Sequence, residues 1–257
     1  MTATAPTWIS AFLDLAHPDY ERGVVFWGLV TGYRVSSPRG EQQEFATLVP
    51  RDGDDFLRVQ RLGDGRSRIH LDLHVPDPAA AAAAAQELGA TVTTESEHGY
   101  VVLASPGGLV FCFVGHHGAV RPRPQSWRGG HRSLVDQVCL DIPRDIHDAE
   151  TAFWQALLGW EPAASSVSAD FSVLQRPEGQ PFRFLLQRLG EGQGRVRAHL
   201  DLATDDRTAE VARHVALGAR VRREHPRWTV LADATGSAYC ITDRDPETGS
   251  LPVGPGH

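Results

Sequence analysis

The sequence predicts an α+β protein made of two tandem units, each of paired βαβββ modules. Three observations predict it. One short strand occurs twice, as Arg-Ile-His-Leu-Asp-Leu at 68–73 and Arg-Ala-His-Leu-Asp-Leu at 197–202. Helix-type stretches alternate with groups of strand-type stretches on a two-residue period. The two halves also keep one register, with matching residues 127 to 129 positions apart throughout. A register held that long marks an internal duplication.

Taken in order, Trp8 to Leu15 has strand composition. His17-Pro18-Asp19 reads as a helix start, with Val24, Phe26, Trp27 and Val30 on the following turns and Gly32 at the C-terminal stop. Phe45 to Val49 and Phe56 to Leu62 read as strands joined through Arg51-Asp52-Gly53, and Arg34 to Glu44 as a loop. The repeated strand follows. In it His70 shares a face with Asp72, and Leu71 and Leu73 take the other, which predicts a sheet with one wet, concave side. Asp77-Pro78 opens a helix through the alanine run 79–85, and Gly89 closes it. Thr91 to Thr94, Tyr100 to Ala104 and Val110 to Val114 complete the first unit, residues 8–114. Residues 115–133, rich in Gly, Pro, Arg and His, read as a linker. His116-His117 within it reads as a solvated pair.

The second unit, 134–243, repeats these signals. Phe26-Trp27 with Gly32 matches Phe153-Trp154 with Gly159. Gln60 matches Gln187, Leu88-Gly89-Ala90 matches Leu217-Gly218-Ala219, and Phe111-Cys112 matches Tyr239-Cys240. The aromatic pairs at helical spacing read as core anchors. Ser165 to Asp170 reads as a loop, and Gly249 to His257 as a loose tail.

Composition excludes several functions. All 25 basic residues are Arg, so Schiff-base chemistry and the lysine of a phosphate-binding loop are absent. Net charge is −7 with no basic run, which argues against nucleic acid as a partner. No stretch approaches the roughly 20 apolar residues of a membrane span, so no membrane partner is expected. Met1 to Ile9 lacks a basic region followed by an apolar run, and three cysteines make no disulfide framework. The expectation is a reduced, cytoplasmic protein.

The ordered set of aromatic pair before a helix-end glycine, His-Leu-Asp-Leu strand and Leu-Gly-Ala after the next helix resembles the vicinal oxygen chelate superfamily. That superfamily includes glyoxalases, bleomycin-resistance proteins and extradiol dioxygenases, and the likeness is closest to its tandem glyoxalase-like branch. It implies a cupped, eight-stranded mixed sheet per unit and a small-molecule ligand or substrate. Related single-unit proteins pair as two chains, so the duplication implies a monomer with an internal pseudo-dimer, or a weak homodimer.

The resemblance also implies metal-ligand positions on the opening, fifth and closing strands. In unit two these fall on Gln137, His199 and Cys240; in unit one, on Ser10, His70 and Cys112. Both closing positions lack the family's Glu. Gln, His and Cys can hold zinc or a similar divalent metal, whereas Ser is a poor ligand, so unit two is the better candidate. His70, Gln60, Cys112 and Gln187 are candidate ligand contacts. Cys139, beside the inward face, reads as a packed thiol. Two functions stay open. One is a metal-assisted lyase or isomerase, with a dioxygenase behind it. The other is a metal-free protein that binds and sequesters an antibiotic or metabolite.

Overall fold

A computed structural model describes residues 5–115 and 118–252; the His116-His117 pair lies outside them. The first unit comprises β1 (Trp8–Leu15), α1 (Tyr20–Thr31), β2 (Arg34–Val35), β3 (Phe45–Val49), β4 (Leu57–Arg61), β5 (Arg68–His74), α2 (Pro78–Glu87), β6 (Thr91–Glu95), β7 (Val101–Ala104) and β8 (Val110–Val114). The connection carries β9 (Gln125–Ser126). The second unit comprises β10 (Arg132–Ile142), α3 (His147–Leu158), β11 (Pro162–Ala164), β12 (Phe171–Leu174), β13 (Arg183–Arg188), β14 (Arg197–Thr204), α4 (Arg207–Ala216), β15 (Arg220–Glu224), β16 (Trp228–Ala232) and β17 (Ala238–Thr242).

Local chemistry sets the helix ends. A 3₁₀ turn at His17–Asp19, with Pro18 inside it, leads into α1. Gly32 ends α1 at φ +70°, a left-handed conformation that costs glycine nothing. Asp77 and Asp206 cap α2 and α4 by accepting from the backbone N–H of Ala80 and Ala209.

Each module closes the same way. In the first, β4 returns parallel to β1; in the second, β8 returns parallel to β5. Antiparallel pairing of β1 with β5 joins them in the order β2-β3-β4-β1-β5-β8-β7-β6. Unit two repeats this as β11-β12-β13-β10-β14-β17-β16-β15, with β9 added against Arg132 and Ser133 of β10. Arg34–Val35, read as loop, is a two-residue edge strand. Both residues are exposed, so no alternation betrays it in sequence. The second unit's opening strand likewise begins at Arg132, inside the stretch read as linker.

The units pack by exchanging contacts across a pseudo-twofold relation. From α1, Trp27 donates its indole N–H to Asp233 in the β16–β17 turn at 3.0 Å, and Phe26 and Trp27 pack on Tyr239. From α3, Glu150 accepts from Ser105 Oγ and the Gly107 N–H in the β7–β8 turn, while Trp154 packs on Phe111. Val196 N–H donates to the Gly107 carbonyl at 2.9 Å. A Cβ at Gly107 would lie 2.3 Å from Val196 Cγ2, so only glycine allows this approach. The aromatic pairs are therefore anchors of the contact between units. Among the described residues no helix is long and apolar enough to cross a membrane.

Candidate functional site

The sheet pleat places Gln137, Cys139 and Asp141 of β10 on one face with His199 and Asp201 of β14 and Cys240 of β17. The register sets Gln137 opposite Asp201, Cys139 opposite His199, and Asp201 opposite Cys240. All of them but Asp141 form the floor of a cavity of about 620 Å³. Its walls come from β12, β13 and Trp228 of β16, with rims at 163–167 and 248–251. The loop read at Ser165 to Asp170 thus supplies part of the rim. A second cavity, about 580 Å³, runs between the units and meets the first at His199.

One donor atom each from His199, Asp201 and Cys240 converges, all within 4.8 Å of one another. His199 Nε2 lies 3.3 Å from Asp201 Oδ1 and 3.6 Å from Cys240 Sγ. Asp141 Oδ2 holds the other ring nitrogen, Nδ1, at 3.2 Å. A carboxylate behind an imidazole is how a ligating histidine is oriented. Gln137 donates its amide N–H to Asp201 Oδ2, so it meets the carboxylate instead of standing beside His199 as a third donor. Asp201 Oδ1 is buried without a hydrogen bond. That oxygen, with the His199 nitrogen at 3.3 Å and the Cys240 sulfur facing the same point, fits a divalent ion with mixed N, O and S preference.

The carboxylate is what the sequence reading passed over. The family's closing-strand Glu is absent, but Asp201, two residues after His199, takes a place beside it. The signal was present in the two-residue period of His-Leu-Asp, which puts both side chains on one face. Asp141 was legible in the same way, four residues after Gln137.

Unit one builds the same triad from His70, Asp72 and Cys112 and then fills its own cup. Phe12 stacks on His70 with centroids 4.6 Å apart and planes at 9°. Arg58 lies over Phe12 and reaches Asp72 at 3.8 Å. Ser10 bonds to His74 at 2.8 Å. The expectation of a wet strand face is therefore overturned here: His70, Asp72 and His74 are all buried. The repeat puts Cys139 where Phe12 stands and Leu185 where Arg58 stands, and both smaller side chains line the open cup. Gln187 also lines it and accepts from the Cys139 thiol at 3.7 Å. Gln60 sits in unit one, opposite Asp14 and Phe45.

Burial alone would depress the His199 pKa, but Cys139, Asp141 and Asp201 outweigh it and hold it well above the ordinary 6.5. His70 is raised in the same sense, where Asp14, Asp72 and Cys112 outweigh burial. Burial pushes the Cys139 thiol up to about 12 and the Cys240 thiol up to about 11. Without metal, both imidazoles are thus protonated and both thiols neutral near pH 7. A raised folded pKa contributes stability that is complete below the unfolded value and is lost as pH rises through the folded one. The urea midpoint of metal-free protein is accordingly expected to fall as pH is raised from 6.5 toward 9. A midpoint that climbs over that range would contradict this electrostatic picture.

The fold and site define a class: two cupped βαβββ pairs in tandem, with a polar triad on the floor of each. The chain matches the glyoxalase-like domain family over residues 10–114 and 137–242 and belongs to it, within the vicinal oxygen chelate superfamily. No curated protein matches it in sequence. Solved structures with similar folds include a 4-hydroxymandelate synthase variant from Streptomyces coelicolor, at 14% identity and TM-score 0.63, covering 95% of each chain. A Mn(II)-bound glyoxalase from Novosphingobium aromaticivorans has 16% identity and TM-score 0.62, over 93% of this chain and 82% of that one. An extradiol ring-cleaving dioxygenase from B. fuscum has 16% identity and TM-score 0.61, over 97% and 75%. At these identities the likeness shows a shared fold.

Proposed function

We propose that the cup of unit two binds a small molecule, and that His199, Asp201 and Cys240 hold a divalent metal, zinc or similar, at its floor. The observation that carries this reading is the convergence of three donor atoms, the nitrogen of His199, the carboxylate oxygen of Asp201 and the sulfur of Cys240, beneath an open cavity. A metal held there would supply Lewis acidity toward two neighbouring oxygens of the ligand. The chain's own residues do the remaining work. Asp141 keeps Nε2 of His199 directed at the site, and Gln137 steadies Asp201. Phe171 and Trp228, edge to face at 5.7 Å, form an apolar wall that displaces water from the ligand. The reaction class that suits this arrangement is a glyoxalase-like lyase or isomerase, with ring-cleaving oxygenation second. The metal named for one structure of similar fold and the ring cleavage named for another support it by analogy of fold alone.

Zinc titration of protein purified without a histidine tag tests it. Binding must displace one proton from His199 and one from Cys240, so affinity is expected to rise between pH 6 and 8 by up to about a hundredfold per unit. Absence of zinc binding, or affinity indifferent to pH, would sink the metal reading.

A second reading, a metal-free binder, draws support from the protonated state of the triad. An imidazolium between Asp141 and Asp201, beside neutral thiols, is a balanced arrangement with no ion in it. A ligand-induced change in tryptophan fluorescence that survives chelator, with no turnover of the same compound, would favour that reading. The pseudo-twofold contact is made inside one chain, so light scattering is expected to report a monomer.

A further inference from the structure

Beyond its floor, the cup carries positive charge that the chain neutralises only in part. Arg176 and Arg183 line the wall from β13 and the turn before it, and Arg244 lines it just after β17. Behind them, outside the lining, sits Asp136, the residue at the β10 register shift, fully buried. Its two carboxylate oxygens make no hydrogen bond. Arg244 Nε is 3.9 Å from Asp136 Oδ2, and its Nη2 is 3.6 Å from Asp201 Oδ2. Among the described residues Arg176 and Arg183 form no ion pair. Arg183 Nε and both Nε and Nη2 of Arg244 are buried N–H groups without an acceptor. Arg121, from the connection, adds a fourth guanidinium to the field at Asp136, while its own Nη groups bond to the carbonyls of Pro246 and Glu247.

Buried guanidinium donors without acceptors are costly unless something fills them. Water alone would leave the like charges facing each other. A planar oxyanion accepts from several such forks at once, and the aromatic wall of Phe171 and Trp228 leaves space for a flat apolar body beside it.

We propose that the cup takes an anionic ligand, whose carboxylate or phosphate is held by Arg176, Arg183 and Arg244. This rests on the reading of unit two's cup as the ligand site but does not depend on the metal. Asp136 acts as a built-in counter-ion: it keeps the guanidiniums together in the free protein and competes weakly with the incoming anion.

The test uses the full chain with three probes of one shape: benzoate, phenyl phosphate and neutral benzamide. Binding is read by calorimetry and tryptophan fluorescence. At least one anion is expected to bind about tenfold or more tighter than benzamide, and the better of the two identifies the acid group. Arg183→Gln and Arg244→Gln are each expected to weaken the anion about tenfold and to leave benzamide unchanged. Asp136→Asn should tighten the anion several-fold, which a merely structural role for the cluster would not do. Should a single Arg variant fail to fold, Asp136→Asn/Arg183→Gln removes one charge of each sign and is compared with Asp136→Asn. Benzamide binding as tightly as both anions, anions binding no better than chloride, or Arg variants binding like the parent would overturn the proposal. Zinc titration of the same samples keeps the two ideas apart: loss of zinc binding removes the metal reading, and loss of anion preference removes this one.

Discussion

Alanine at His199 is expected to lower zinc affinity on the order of a hundredfold or more, whereas alanine at His70 leaves it within a few-fold of the parent. Removing an outer partner of a ligating histidine already costs ten- to a hundredfold, so loss of the donor itself costs at least that. The asymmetry comes from what surrounds two equivalent triads. His199 faces an open cavity, with Cys139 and Leu185 around it. His70 lies under Phe12, and the Arg58 guanidinium already neutralises Asp72. A cation entering unit one would have to displace both. Stability is expected to divide the other way. His70 bonds Asp14 at 2.8 Å and stacks on Phe12, and its loss removes a buried partner from Asp14 and Asp72, leaving Asp14 to the largely exposed Arg68 and Asp72 to Arg58. Breaking a buried pair by removing one partner costs about 3–5 kcal/mol. For His199→Ala the cost should be smaller, because its bond to Asp141 is longer and that carboxylate is partly exposed. Calorimetric zinc titration beside urea melts of both variants checks this. Equal losses of affinity, or the larger loss at His70, would assign the site to the wrong unit.

Glu150→Ala is expected to destabilise the whole chain by about 3 kcal/mol or more, with one cooperative transition retained. Glu150 is fully buried in α3 and accepts from three donors: Ser105 Oγ, the Gly107 N–H and the Trp154 indole N–H. Two of the three belong to the other unit. Truncation leaves all three donors buried without an acceptor, and each unsatisfied group costs on the order of 1–3 kcal/mol. The pseudo-equivalent contact, Trp27 to Asp233, stays intact, so the units should loosen without separating. Urea denaturation followed by fluorescence and by circular dichroism tests both parts. Non-coincident transitions would show units that fold independently. A loss below 1 kcal/mol would show that Glu150 contributes little to the contact.

The duplicated βαβββ plan was legible in the chain because it is written in local signals. Period-two alternation at 68–73 and 197–202, proline and aspartate at helix starts, and Gly32 and Gly159 at helix ends each act within a few residues. The constant offset between halves carried the rest. His199 and Cys240 were legible as site residues for the same reason, since strand position follows from the repeat.

Tertiary structure decided which unit keeps an open site, and it did so through side-chain volume. Phe12 against Cys139, and Arg58 against Leu185, are single substitutions within a shared pattern. Their effect appears only when three neighbouring strands of each unit bring them beside the equivalent histidines. Tertiary structure also supplied the carboxylate: Asp201 shares a face with His199 in sequence, but its approach to His199 Nε2 and its grip by Gln137 depend on the register of β10 against β14. Arg176 and Arg183 lie on the turn before β13 and at its start, but Arg244 lies far along the chain from both, and no local period links the three. Only closure of the second sheet and the turn after β17 gathers them around Asp136, because charge acts through space and not along sequence.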